Sequence, residues 1–329
     1  MDLGIGVIGC GAIARDVHLP VLAARRDVRV AALADPDSAA VRACRRVAPT
    51  AAVCDGYHEL LVWPGVNAVL IAVPSPLHAE IAVAGFSASK HVYLEKPLAT
   101  SLPDARRVLD AWRSSGRIGM IGFNFRFHPQ CLEMKRRLAA GEIGRLLALR
   151  TVFTTRAGAR PGWAASTSQG GGPWFELAIH EIDLARFILE EELTGIRARE
   201  EDGTVTFDAR TPKGVLVQGL FSMGSIEEGL IECHGTRGKL EISRYHSASV
   251  EFRACRATGV AGKMIQDLSQ LAALPSLWRK WRAPSNQPSY SAAWSHFINA
   301  ARGGGTVVSP DLLDGYRSLE VVETARGTL

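Results

Sequence analysis

The chain has 329 residues, enough for two domains of ordinary size, and 47% of them are apolar, so it can bury a sizeable core. A charged fraction of 22% fits a globular protein, no apolar run reaches the ~18 residues a membrane-spanning helix needs, and the N-terminal apolar stretch, broken by Gly4, Gly6 and Gly9 with no basic lead, reads as a strand rather than a signal peptide. The net charge of +5 comes without a nucleic-acid-binding motif, and six cysteines (10, 44, 54, 131, 233, 255) without a Cys-x-x-Cys pair argue against a zinc ribbon or disulfide framework and for reduced thiols in the cytoplasm.

In chain order, "LGIGVIG" (3–9), "VRVAALA" (28–34), "NAVLIAV" (67–73), "KHVYL" (90–94) and "RIGMIGF" (117–123) are short, continuously apolar runs, as in a parallel sheet buried on both faces. "AAVC" (51–54) is a weaker sixth strand. Helical patterns lie between them at 12–24, 37–47, 78–86 and 101–113, the last opened by Ser101 with Pro103 and Asp104 just inside. This alternation predicts right-handed crossovers and an α/β doubly wound sheet over 1–123. From about residue 124 the rhythm changes. Strand-like runs at 145–158, 204–210, 214–223, 229–235, 238–244 and 248–254 are separated by turns such as Thr236-Arg237-Gly238 and Pro212-Lys213-Gly214 and look antiparallel. Helices are expected at 128–140 and 173–190, making 124–329 an α+β domain. The arginine pairs at 25–26, 45–46, 106–107 and 136–137 fall on helices and read as solvated faces, with attraction of an anionic ligand the weaker alternative.

"GVIGCGAIA" (6–14) follows the first strand and opens a helix. In that position Gly9 permits the tight turn, Gly11 has no side chain to block a pyrophosphate, and Ala14 lets the helix sit close to the sheet. The helix N-terminus offers free N–H groups and a partial positive charge to phosphates. Asp35 ends the next strand, 24 residues after Gly11, where a carboxylate would take the ribose hydroxyls of an adenosine and repel a 2′-phosphate. A tight turn with an N-cap aspartate before Pro36 is the alternative.

Three further stretches carry chemistry. "AVPSPLH" (72–78) follows the strand at 67–73, and "LEKPL" (94–98) sets a lysine beside a carboxylate at the end of the next; a surface salt bridge is the plainer reading of the second. In "GGGPWFELAIHEID" (170–183), Glu176, His180 and Asp183 share one helix face at i, i+4 and i+7. A core histidine or a metal site would also explain that face, but no further ligand cluster supports a metal.

Taken in order, "GCGAIA", "AVPSPLH", "EKP", "GFNFRFHP" (122–129), "GWAASTSQGGG" (162–172) and the glycine-led helix with His180 resemble the Gfo/Idh/MocA family (glucose–fructose oxidoreductase, inositol dehydrogenase and rhizopine-catabolism type). The resemblance implies a Rossmann domain, an α+β domain whose open, mostly antiparallel sheet often makes the interface of a homo-oligomer (dimer or tetramer), an NAD-type cofactor, and a small polyhydroxylated substrate held between the domains. It implies Lys96, His180 and Glu176 as catalytic residues, with a cis bond from Lys96 to Pro97. Cofactor contacts are implied for Gly9, Gly11, Ala12, Ile13, Ala14, Asp35, Pro36, Ala72, Pro74, Ser75, His78, Glu95, Lys96, Arg126 and Trp163. Substrate contacts are implied for Lys96, Asn124, Trp174, Glu176 and His180, with no metal, nucleic acid or membrane. Val73 and Ser75 stand where Thr and Asn are frequent, Phe125 where an arginine is frequent, and Ala164 follows Trp163 where an arginine is common. Glu176 is one methylene longer than the usual aspartate. These departures leave the substrate open.

Three activities compete on these residues. The first is a dehydrogenase that oxidises a secondary hydroxyl of a sugar, aminosugar or cyclitol, with NAD as hydride acceptor, His180 as general base and Lys96 stabilising the alkoxide. The second is a redox-neutral epimerase or elimination enzyme that keeps its NAD. The third is a non-catalytic NAD-dependent regulatory protein, which predicts loss of Lys96 or His180, and both are present. The segment from Gly262 to Tyr290, with Trp278, Trp281 and three prolines, reads as a lid or interface arm, or else as a surface loop.

Overall fold

Six strands, β1 (Leu3–Ile8), β2 (Val28–Ala34), β3 (Ala52–Cys54), β4 (Ala68–Ile71), β5 (His91–Leu94) and β6 (Gly119–Ile121), form one fully parallel sheet in the order β3-β2-β1-β4-β5-β6. The computed structural model describes residues 2–158, 171–245, 247, 249–255, 288–303 and 308–329. Every residue of β1 and β4 is buried, which is why their sequences are unbroken apolar runs. The chain winds outward from β1 through β2 and β3, then returns to the other side of β1 as β4. That reversal makes the carboxyl ends of β1 and β4 the topological switch point, where sheets of this kind bind ligands.

Between the strands run α1 (Leu19–Ala23), α2 (Ser38–Val47), α3 (Tyr57–Val62), α4 (His78–Ser87) and α5 (Leu102–Ser115). Ser101 caps α5 by accepting the Asp104 N–H at 3.3 Å, Pro103 sits in the first turn, and Gly116 ends the helix at φ 62°. A cap of this kind contributes about 1 kcal/mol. Helix α3 is absent from the sequence reading because "YHELLV" is too short to display a period.

The second sheet has seven strands: β7 (Leu146–Thr154), β8 (Thr194–Glu201), β9 (Thr204–Arg210), β10 (Leu216–Ser222), β11 (Glu228–Gly235), β12 (Gly238–Ser243) and β13 (Glu251–Ala254), in the order β13-β12-β11-β7-β10-β9-β8. All pairings are antiparallel except β7 with β10. Its helices include α6 (Pro129–Ala139) and α7 (Ile179–Leu189). Strand β8, "TGIRAREE", is an edge strand with mostly exposed, charged residues, so it lacks the apolar alternation that sequence reading relies on. The expected helix at 261–273 and nearly all of the 262–290 arm lie outside the described residues.

The chain separates into two units: Met1–Asn124 with Ala283–Leu319, and Phe125–Arg282 with Glu320–Leu329. A linear division at 123/124 does not register the return of 283–319. Helix α8 (Ser289–Ala301) anchors that return: Trp294 stacks on Tyr93 at 4.6 Å between centroids, and Phe297 meets the same ring edge-on at 5.6 Å. Tyr290, which the sequence assigns to the arm, is buried here. The last helix, α9, runs from Leu312 to Arg326. Among the described residues no helix is long and apolar enough to cross a membrane, and all six cysteines are free.

Burial pushes the imidazoles of His78, His91 and His296 below their ordinary value of 6.5. Nδ1 of His91 accepts the Ile118 N–H at 3.0 Å, a bond that a protonated ring loses. The unfolded chain therefore binds more protons than the folded one once the pH falls below about 6.5, and stability must fall with it. The urea midpoint is expected to be lower at about pH 5.5 than at about pH 7.5, with a smaller difference in His91→Asn. A midpoint unchanged between the two pH values contradicts this.

Candidate functional site

At the switch point the chain leaves β1 through Gly9, at φ 93°. A Cβ at this position would overlap the Ala72 carbonyl oxygen and approach Val73 Cγ1 at 3.0 Å, so only glycine fits where the turns after β1 and β4 meet. Ala72 is itself tied to β1, its N–H donating to Ile8 O at 2.8 Å. Gly11 is the opposite case. It is exposed, and a Cβ there would meet nothing within 4 Å. An added side chain would fill the open space over the helix start that a pyrophosphate needs. The Arg15 N–H donates to Gly11 O at 2.9 Å, leaving the N–H groups of Ala12, Ile13 and Ala14 ahead of this bond. Ala14 is buried, and from it the backbone widens into a π-helical turn, Ala14–His18. Turns of this kind recur at functional sites.

Asp35 is bound to this turn. Its Oδ2 accepts the Cys10 N–H and its Oδ1 the Asp37 N–H, both at 2.7 Å. The N-cap of α2 is Asp37, which accepts from Ala39 N at 2.8 Å. The carboxylate of Asp35 is thus held half-exposed beside the glycine turn, next to the exposed Pro36. Cys10 is structural: the Cys44 thiol donates to Cys10 O at 3.5 Å, and contact with Cys44 together with burial pushes the Cys10 thiol far up, away from thiolate chemistry.

Farther along the same sheet edge, Pro74 is exposed and Ser75 buried in the turn after β4. His78 is fully enclosed. Its Nδ1 lies 2.5 Å from Pro97 O and its Nε2 2.9 Å from Val73 O, so the ring spans two turns and has no nitrogen left for a ligand. Glu95, Lys96 and Pro97 follow β5, and the Lys96–Pro97 bond is cis. Glu95 is buried and Lys96 half-buried. Asn124 is buried, donating from Nδ2 to Ser289 Oγ at 3.0 Å.

The remaining residues belong to the second unit. A π-helical turn, Trp174–Ala178, leads into α7, where His180 is the second residue. The extra residue of that turn alters the simple i, i+4, i+7 face that sequence spacing assigns to Glu176, His180 and Asp183. Glu176 is buried in the turn. Asp183 is engaged by Arg126, the residue expected at the cofactor, which donates to it from Nε at 2.8 Å and Nη2 at 2.6 Å. Trp174 is wholly buried, its N–H donating to Glu200 at 2.6 Å, which makes it a core residue of this unit. The His180 ring packs against Phe125 at 5.0 Å and Phe153 at 6.3 Å. Behind those rings the Arg244 guanidinium stands over Phe125 at 4.3 Å and Phe153 at 4.8 Å, and pairs with buried Glu181 at 2.6 Å. Trp163 lies outside the described residues.

The sequence gives no sign of His18, which donates to Glu95, or of Arg244 behind the His180 pocket wall; each stands alone in an apolar or strand-like run. In chemical terms the first unit offers a cradle for an anion beside a fixed carboxylate, and an ammonium next to a buried carboxylate. The second offers an imidazole walled by aromatic rings.

Comparison with known proteins gives these features a setting. Residues 3–123 match the sequence model of the Gfo/Idh/MocA oxidoreductase family, NAD-binding Rossmann fold, and residues 131–241 match that family's C-terminal domain. An inositol 2-dehydrogenase of Gluconacetobacter diazotrophicus is 34% identical over 224 residues, which are 65% of this chain and 60% of that protein. A scyllo-inositol 2-dehydrogenase (NAD(+)) of Bacillus subtilis is 28% identical over 279 residues, covering 80% of this chain and 75% of that one. Among solved structures, a levoglucosan dehydrogenase in complex with NADH and levoglucosan superposes with a TM-score of 0.84 at 22% identity, over 100% of this chain and 97% of that one. A 3-ketoreductase from Actinomadura kijaniata in complex with NADP superposes at 0.83 and 24% identity, over 100% and 98%. The likeness to these structures is one of fold.

The two glycines of the turn should separate by experiment. Gly11→Val is expected to keep the melting temperature within about 2 °C of the parent while weakening NAD binding at least ~10-fold, since its side chain enters open space on the ligand side. Gly9→Val should instead cost about 3 kcal/mol or more, from positive φ and overlap with Ala72. Calorimetry with NAD and urea unfolding check both, and a Gly11→Val protein that binds NAD normally overturns the cradle.

Proposed function

The chain belongs to the Gfo/Idh/MocA oxidoreductase family, and on that premise we propose that it is an NAD-dependent dehydrogenase acting on a secondary hydroxyl of a sugar, aminosugar or cyclitol. The observation that carries the reading is the arrangement at the carboxyl edge of the parallel sheet. There a glycine turn open at Gly11, with Asp35 pinned to it by two 2.7 Å bonds, shares one edge with Lys96. The inositol dehydrogenases among the relatives support the substrate class.

Gly9, Gly11 and the N–H groups of Ala12, Ile13 and Ala14 would hold the pyrophosphate, and Asp35 beside Pro36 would take the adenosine ribose hydroxyls. Ala72, Pro74 and Ser75 line the other side of the switch point. When bound, the nicotinamide supplies a two-electron hydride acceptor. His180 accepts the hydroxyl proton as the carbinol C–H leaves as hydride, so that the products are a ketone, reduced cofactor and one proton. The Lys96 ammonium hydrogen-bonds the substrate oxygen and stabilises developing alkoxide. Glu176 orients His180 or takes a neighbouring hydroxyl. Phe125 and Phe153 keep bulk water from one side of the imidazole. Arg126 and Trp174 hold the second unit's framework beside the site. A cytosolic homo-oligomer completes the reading.

NAD is expected to bind more tightly than NADP, because the Asp35 carboxylate repels a 2′-phosphate and Pro36 offers no cation to offset it. Asp35→Ser should narrow the gap, and equal or tighter NADP binding by the parent protein contradicts the assignment. With a panel of sugars, aminosugars and inositols read at the nicotinamide absorbance, Lys96→Ala and His180→Ala should each lower turnover at least ~10²-fold while NAD affinity stays near the parent's. Near-normal turnover in either variant removes that residue from the mechanism.

A further inference from the structure

His18 ends the π-helical turn that begins at the glycine cradle, and it is fully buried. The Trp294 indole N–H, which can only donate, points at His18 Nδ1 at 3.0 Å. Nδ1 must therefore be the bare nitrogen. The ring's proton is then on Nε2, which donates to Glu95 Oε1 at 2.8 Å. Three rings hold the imidazole edge-on, Tyr93 at 5.5 Å, Tyr290 at 5.3 Å and Trp294 at 5.8 Å, so it cannot turn over without disturbing all of them. Glu95 is confined from a second side. A Cβ on Gly122 would stand 3.0 Å from its carboxyl carbon and both oxygens.

Lys96 thus has an anchored neighbour on each side in the chain. Glu95 is held by His18, and the Pro97 carbonyl faces His78 Nδ1 at 2.5 Å. A backbone fixed at both flanking residues leaves the lysine only its own side-chain torsions. We propose that His18, acting through Glu95, is a positioning residue for Lys96, and that the Trp294 N–H selects the tautomer in which it works. The same relay ties the turn that carries Lys96 to the helix that opens at the dinucleotide cradle and to α8. The inference rests on the reading of Lys96 as the group that stabilises the alkoxide. A histidine that merely fills the core would affect stability, but it would have no specific dependence on Lys96.

The test is a double-mutant cycle on the fastest polyol of the panel, with NAD affinity by calorimetry and histidine nitrogen-15 NMR on the same proteins. The parent's His18, assigned by the resonances missing from His18→Gln, should show a bare Nδ1 and a protonated Nε2, and Trp294→Phe, which keeps an aromatic ring but removes the donor, should lose that signature. His18→Leu should lower kcat at least ~10-fold with NAD affinity within about twofold of the parent. In the Lys96→Ala background it should lower kcat no further. His18→Gln, which can both donate and accept, should restore most of the loss. If His18→Leu does not fold, Trp294→Phe, alone and with Lys96→Ala, carries the same comparison. Additive losses, a His18→Leu protein with parental kcat, or a loss confined to NAD affinity would each overturn the inference. Turnover that survives Lys96→Ala overturns the assignment of Lys96 itself and this inference with it. Turnover lost in Lys96→Ala but kept in His18→Leu overturns this inference alone.

Discussion

The close approach of the chain after β1 to the chain after β4 is the constraint on which the first unit depends. At Gly9 there is room for a hydrogen atom and no more, because the Ala72 carbonyl occupies the space a side chain would take. That approach follows from the winding of the sheet: β1 and β4 are neighbours although 59 residues separate the ends of β1 and the start of β4. Once the two turns are pressed together, the helix after Gly11 must start at the switch point, with the N–H groups of Ala12, Ile13 and Ala14 ahead of the Arg15 bond to Gly11 O. Asp35, at the end of the adjacent strand β2, can then accept directly from the Cys10 N–H. The anion cradle and the carboxylate beside it are consequences of one strand order.

Burial of polar groups governs the rest. Glu95 lies inside the first unit and is matched by the single N–H of a neutral histidine. In the second unit the pairs Arg126–Asp183 and Arg244–Glu181 are both buried. Breaking one member of such a pair typically costs about 3–5 kcal/mol, because the other charge is left unmatched. These pairs brace the start of α7 and the aromatic wall against which His180 packs, so the imidazole is framed by buried groups. Arg126, at 6% exposure, is one of these bracing residues.

Much of this was legible in the chain because periodicity reports burial. Strands buried on both faces read as apolar runs, so the parallel sheet and the glycine turn stand out, and β9 shows its one-sided burial as strict alternation. The family's ordered motifs add the second unit. Elements stabilised by remote partners are less visible. Strand β8 is recognisable only by its pairing with β9, whereas α8 carries a helical spacing at Tyr290, Ala293, Trp294, Phe297 and Ile298 that the assignment of Tyr290 to an arm overlooks. His18 illustrates the same limit within the site. Its significance comes from Glu95 and Trp294, which lie 77 and 276 residues away in the chain. Spacing within a helix likewise conceals the π-helical turn before His180, since an inserted residue changes the face without changing the sequence pattern.

The central claim is that a carbinol hydride passes directly to a nicotinamide held at this sheet edge. Its most direct measurement is isotope transfer: the protein is incubated with NAD and polyols of the panel carrying deuterium on their carbinol carbons, and the cofactor is examined by NMR. The account predicts deuterium at nicotinamide C4 in the parent protein and its near absence in Lys96→Ala and His180→Ala. A cofactor that acquires no deuterium from any polyol of the panel, while remaining bound, would contradict it.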